Sequence, residues 1–144
     1  DDAAAVGSCL AVRVLPGPEL ERFGDEALDV LQSGPYAIGT DSNRMGFRLT
    51  GPELRHVRGA EIISNATSFG SLQVPGSGQP ILLMADRQTT GGYAKIATAI
   101  TADIGIAAQA APGDALSFTV CTRAEALSAL LGRERALLAI EAAS

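Results

Sequence analysis

"SLQVPGSGQPILLMADRQTTGGYAKIATAITAD", Ser71 to Asp103, alternates short apolar runs with clusters of turn-forming residues. Three of its segments have strand character: Ser71–Val74, Pro80–Met84 and Lys95–Ile100. Between them stand "PGSGQ" and "DRQTTGG", whose glycines, proline and aspartate favour turns. Strands this short and this often interrupted do not build a helical bundle or a regular βα alternation. They build a closed or sandwiched β architecture.

The same pattern continues on both sides. "CLAVRVL" (Cys9–Leu15) is a strand stopped at Pro16, and further strands are expected near Tyr36–Thr40, Met45–Leu49, Glu61–Ser64 and Ala115–Cys121. Between the first two, "PELERFGDEALDVLQSG" carries Leu20, Phe23, Ala27, Leu28 and Leu31 at roughly helical spacing, divided at Gly24-Asp25. Asp25 is placed to cap the second piece. Ile100 to Asp114 predicts one helical turn before a tight turn at Pro112-Gly113-Asp114. "TRAE" (Thr122–Glu125) is a capping box and opens an amphipathic C-terminal helix with Leu127, Leu130, Leu131, Leu138 and Ile140, with a break placed near Gly132. There is no internal repeat or linker, so residues 1–144 form one mainly β domain flanked by helices.

Bulk composition narrows the function classes. Hydrophobic residues make up 47% of the chain but aromatics only 4%, and Trp is absent, so the core is built from Val, Ile, Leu and Ala. The net charge is -5 and no basic run exists, which argues against a nucleic-acid surface. No apolar stretch suffices to span a bilayer and no secretory signal is visible, so a cytoplasmic location is expected. The opening "DDAAAVGS" reads as a cut point or as the continuation of an upstream region. Cys9 and Cys121, both in strand-like segments, are expected as buried free thiols in a reducing compartment. The sequon Asn65–Thr67 is then a chance match.

Chemistry concentrates in "ADRQTTGGYAKI", Ala85 to Ile96. Asp86 supplies an acid, a base or an acceptor; Arg87 a planar fork for a carboxylate or phosphate; Lys95 a second cation. Gln88, Thr89 and Thr90 supply neutral donors and acceptors, Gly91 and Gly92 allow close backbone approach, and Tyr93 adds an amphipathic wall. Against this, Asp and Arg at a strand end also form local ion pairs, and Thr-Thr-Gly-Gly also builds a plain turn. In "DSNRMGFRL" (Asp41–Leu49), Arg44 either reaches an anion or is a solvated turn residue. Gln73, inside an apolar strand, either bonds backbone or faces a ligand. His56 has no nucleophile placed to work with it and is expected at the surface. No metal-ligating cluster, Walker A loop or dinucleotide fingerprint is present.

"SNRMGFRLTGPEL", the Ser71–Asp103 block and "APGDALSF", in this order, resemble the biotin-dependent carboxyltransferase-like family, also known as allophanate hydrolase subunit 2 or the C subunit of prokaryotic 5-oxoprolinase. The likeness covers about Val12 to Leu131 and resembles the C-terminal half of a two-half protein. It implies a cyclophilin-like closed β barrel with flanking helices. It also implies a part in ATP-dependent conversion of 5-oxoproline to glutamate, with a sister B subunit of similar fold and a further A subunit. An alternative is carboxyl transfer from biotin, carried by a partner domain, to urea or a related small amide; another is a non-catalytic regulatory or interaction module. The half alone is expected to be inactive. Carried over by resemblance, Asp86 is the acid, base or orienting carboxylate, and Arg87 and Lys95 hold a carboxylate, phosphate or oxyanion. Gln88, Thr89, Thr90 and Tyr93 position substrate over Gly91 and Gly92, with Gln73 and Arg44 in support. One departure stands out: Asn43 occupies the place of the family's usual Asp, which either removes a needed charge or merely preserves a turn.

Overall fold

Seven strands close into a barrel in the computed structural model, which describes residues 7–143. In chain order the strands are β1 (Cys9–Pro16), β2 (Tyr36–Ile38), β3 (Gly46–Thr50), β4 (Glu61–Ala66), β5 (Ser71–Gln73), β6 (Ile81–Leu83), β7 (Thr90–Tyr93), β8 (Lys95–Ala99) and β9 (Ala115–Val120). Three α-helices accompany them: α1 (Ala27–Gln32), α2 (Thr101–Ala108) and α3 (Arg123–Ala143). The barrel order is β1-β8-β5-β6-β3-β2-β9, and the parallel pairing of β9 with β1 closes it, in register from Cys9↔Ala115 to Val14↔Val120. Strands β4 and β7 stand apart as an antiparallel ribbon. The barrel, not a sandwich, is therefore the solution this chain adopts, and the residues before Gly7 lie outside the described part.

The period-two alternation of each strand decides what enters the barrel. Val12 and Val14 of β1, Phe47 and Leu49 of β3, Leu72 of β5, Leu82 of β6, Ile96 of β8 and Leu116 and Phe118 of β9 are buried in one core. Tyr36 is fully buried among them, its ring 5.8 Å from that of Phe118, and its hydroxyl donates to Pro52 O at 2.7 Å. Burial pushes its pKa up to about 12.

The alternation also corrects one expectation. Cys9 is exposed, because Cys9, Ala11 and Arg13 face outward where Val12 and Val14 face the core. Cys121 is buried and free as expected, and burial raises its thiol pKa.

Other elements agree with the sequence in kind and differ in detail. The segment before β2 divides as anticipated into a 3-10 turn, Leu20–Arg22, and α1. Glu26, not Asp25, precedes α1, and it makes no side-chain cap. Two full turns, not one, form α2. The capping box is made: Thr122 N donates to Glu125 Oε1 at 3.0 Å and Glu125 N to Thr122 Oγ1 at 3.1 Å. Helix α3 then runs unbroken through Gly132, since an exposed glycine costs a helix about 1 kcal/mol without breaking it. Its leucines are largely exposed, and Arg133 Nη1 donates to Thr101 O of α2 at 3.3 Å. No helix among the described residues is long and apolar enough to cross a membrane.

His56 is half-buried, not a surface residue: its ring lies 4.7 Å from Phe23 and its Nε2 donates to Val74 O at 2.8 Å. The segment Asp86–Gly92, read as a loop, contains β7 from Thr90. Two glycines depress strand propensity. The ribbon forms because β4 offers a partner and both of its ends are anchored to the barrel.

Candidate functional site

Where Phe47, Leu49, Leu72 and Leu82 point inward, their neighbours Gly46, Arg48, Gln73, Ile81 and Leu83 point outward. The ribbon arches over this outer face and leaves a cavity of about 310 Å³ between barrel and ribbon. That volume suits a small metabolite. Gly46, Ile81, Leu83 and Gln73 form its floor, and Gln88 with Thr90 to Tyr93 form one wall. Asp41, Asn43, Met45 and Arg48 face them from the β2–β3 turn and β3.

Hydrogen bonds fix the wall in place. At one end Thr67 N donates to Thr89 O at 3.0 Å and Thr67 Oγ1 to Gln88 O at 2.6 Å. At the other, Ala94 N donates to Ala60 O and Val74 N to Ala94 O, each at 2.9 Å, joining ribbon to barrel. Between these anchors Gly91 lies against the Gln73 amide so closely that a Cβ there would collide with it. Gly46 similarly admits Ile81, whose Cγ2 would stand 3.0 Å from an added Cβ.

The structure gathers six of the eleven candidate residues around the cavity: Gln73, Gln88, Thr90, Gly91, Gly92 and Tyr93. Thr89 is exposed and contributes through its carbonyl. Asp86 and Arg44 are outside the lining, joined by an exposed ion pair of 3.0 Å and by Asp86 N donating to Arg44 O at 2.9 Å. Arg87, also outside the lining, reaches Ala85 O weakly at 3.5 Å, while its Nε is buried without a partner.

Lys95 departs furthest from the expectation. Its side chain is 4% exposed, with Nζ 3.1 Å from Glu19 Oε1, which also accepts from Lys95 N at 3.0 Å. This pair ties the Pro16–Glu19 segment to β8, and Lys95 is not among the residues that line the cavity.

Arg48 is the functional candidate that sequence reasoning missed. It lines the cavity, exposed and only loosely held, with Nε 3.4 Å from Asp41 Oδ2. The signal was available: with Phe47 and Leu49 buried, alternation forces Arg48 to the outer face beside Gly46. Asn43 makes the turn bond, its Oδ1 accepting from Met45 N at 2.8 Å as an Asp would, and it also lines the cavity. The groups with displaced pKa values, Tyr36, Arg13, Asp103, Cys121 and Glu125, all lie away from the cavity. No group of side chains among the described residues could hold a metal ion.

The chain is thus a closed β barrel with a polar, metabolite-sized cavity on its outer face, roofed by a glycine-rich ribbon. Residues 3–120 match the carboxyltransferase domain, subdomain A and B, and the chain belongs to that family. It is 42% identical over 124 residues to the 5-oxoprolinase C subunit of Escherichia coli (strain K12), a match spanning 86% of this chain and 40% of that protein. It is 43% identical over 115 residues to the 5-oxoprolinase C subunit of Haemophilus influenzae, spanning 80% of this chain and 37% of that protein. The chain thus spans about two fifths of the length of these relatives. The solved structure of Kluyveromyces lactis urea carboxylase superposes with a TM-score of 0.76 over 82% of this chain and 11% of that one. At 23% identity that likeness is one of fold.

Proposed function

We propose that this chain is the C-terminal, substrate-binding barrel of a 5-oxoprolinase C subunit. In this reading it works with a sister B subunit and a further A subunit in the cytoplasm to convert 5-oxoproline to glutamate with ATP. The observation that carries the reading is the identity above 40% to two proteins named as 5-oxoprolinase C subunits, together with the folding of the shared motif block onto one cavity wall.

The chemistry fits. 5-Oxoproline carries a carboxylate and a lactam. Arg48, held only at 3.4 Å by Asp41, is free to exchange that partner for a substrate carboxylate. Gln88, Thr90 and the backbone of Gly91 and Gly92 place neutral donors and acceptors where a lactam would lie. Opening the ring adds water across its C–N bond, and an amide carbonyl is a poor electrophile, so it needs donors aimed at its oxygen and an external source of free energy. ATP is assigned to one of the partners: the cavity has one lining arginine and no phosphate-cradling loop. Asp86 and Arg87 lie outside the lining, next in sequence to Gln88, and are assigned to act where a second domain would close the site.

A second reading draws on the family description itself. Carboxyl transfer from a biotin carried by a partner to urea or a related amide would use the same cavity for the acceptor.

The test is 5-oxoproline-dependent ATP hydrolysis by the full-length protein mixed with its two partners, with and without Arg87→Ala. Expected is turnover that requires 5-oxoproline and falls by about 10²-fold in the variant. Turnover undiminished by Arg87→Ala would remove this residue from the mechanism. No turnover in the intact mixture would shift the assignment to carboxyl transfer.

A further inference from the structure

Gln73 is the one polar side chain on the cavity floor, and its surroundings are unusual. It is 7% exposed, yet its amide makes no hydrogen bond to any described residue. The amide opens onto the cavity, where it meets water when no ligand is bound, and a ligand able to pair with it takes that water's place. Its direction is set by an irregularity. Strand β5 pairs with β8 at Ser71↔Thr98 and Leu72↔Ala97, then slips to Gln73↔Lys95, skipping Ile96. A register shift of this kind re-aims the side chain beside it. Opposite, Gly91 leaves room for the amide, since a Cβ there would occupy the same space. Bulge and glycine together place a primary carboxamide in the cavity lining, with its Nε2 beside Gly91.

We infer that Gln73 is the specificity-determining residue for the amide of the substrate, and that the cavity takes amides whose N–H and C=O lie on the same edge. The inference rests on the proposal that the cavity is the substrate site. A carboxamide has one N–H donor and one C=O acceptor side by side. It pairs through two hydrogen bonds with a partner showing C=O and N–H in the same arrangement. A lactam has this edge because its ring holds the amide cis. Primary amides and urea have it through their syn N–H. A trans peptide bond points its N–H and C=O in opposite directions and cannot make the second bond. The site therefore admits lactams and small primary amides and rejects open-chain peptides, and an N-methyl lactam loses one bond and clashes at the other.

The experiment measures dissociation constants of 5-oxoproline and N-methyl-5-oxoproline by titration against the 144-residue chain, with the full-length protein titrated in parallel, for wild type and Gln73→Leu. Thermal melting is recorded for each. Expected is a preference for 5-oxoproline over its N-methyl analogue of about tenfold or more in wild type, the worth of one or two buried hydrogen bonds. In Gln73→Leu the preference collapses to about one. A preference that survives Gln73→Leu, or equal binding of the two ligands to wild type, overturns the inference while leaving the 5-oxoproline assignment standing. If Gln73→Leu fails to melt cooperatively, the comparison of the two ligands on wild type still decides. Binding of neither ligand, by the chain or by the full-length protein, overturns the inference and the site assignment together.

Discussion

Asp103 shows how much a single buried carboxylate contributes here. Its side chain is 4% exposed and accepts three bonds from one residue: Arg13 N at 2.8 Å, Nε at 2.8 Å and Nη2 at 2.7 Å. These bonds pin α2 to β1, and the Arg13 guanidinium holds the Asp103 pKa below the usual carboxylate range. Because the folded value is depressed, the pair contributes its full stability above about pH 4, where an unfolded Asp is ionised. That contribution is lost as pH falls through the folded value. Asp103→Ala is expected to cost about 2–3 kcal/mol at neutral pH by urea unfolding, less than for a fully buried pair because the half-exposed Arg13 can turn to water. The gap between variant and wild type is expected to narrow below about pH 4. Nothing in the sequence marks Asp103, which there is one acid in an ambiguous Ala-rich run. Lys95 and Arg48 teach the same lesson in reverse. Residue type identified both as cations, but only the path of β8 and β3 determines that the first is buried beside Glu19 and the second faces the cavity.

At the level of elements, local chemistry was the reliable guide. The Thr122–Glu125 box needs four residues and no tertiary partner, and the helix it opens is continuous and mostly exposed. Thr122→Ala is therefore expected to fray α3, costing about 1 kcal/mol of helix stability. Circular dichroism at 222 nm should fall while the melting of the barrel barely moves; an equal drop in barrel stability would mean α3 packs more firmly than its exposure indicates. Strand β7 is the opposite case. Thr90-Gly91-Gly92-Tyr93 has weak strand propensity, and it is a strand because Ala66, Asn65 and Glu61 of β4 lie across from it. A window of sequence carries no record of that partner. The same applies to the slip between Leu72 and Gln73, which aims the cavity's one buried amide.

Across the whole molecule, closure depends on strands distant in sequence. Strand β1 sits between β8 and β9, and its pairing with β9 joins residues about a hundred positions apart, as in the bond from Ser8 N to Asp114 Oδ1 with a separation of 106. Removing residues 1–16 would open the barrel between β8 and β9 and take Val12 and Val14 from the core. The truncated chain is expected to show no cooperative thermal transition by circular dichroism. A sharp transition would mean that the remaining six strands close on themselves.

The sequence by itself determined the short-strand, turn-rich character of the fold, the position of most strands, the capped terminal helix and the block from Gln73 to Tyr93 that surrounds the cavity. These follow from side-chain alternation, turn chemistry and local hydrogen bonding, all of which act within a few residues. Its side-chain pattern alone did not separate barrel from sandwich, where the family resemblance implied the barrel, and it did not give the outward face of Cys9, the pairing of Lys95 with Glu19 or the partner strand that makes a ribbon from two glycines. Tertiary structure decided these, because each depends on which distant backbone supplies the facing hydrogen bonds, and the free energy of that pairing is shared between two segments neither of which specifies it alone.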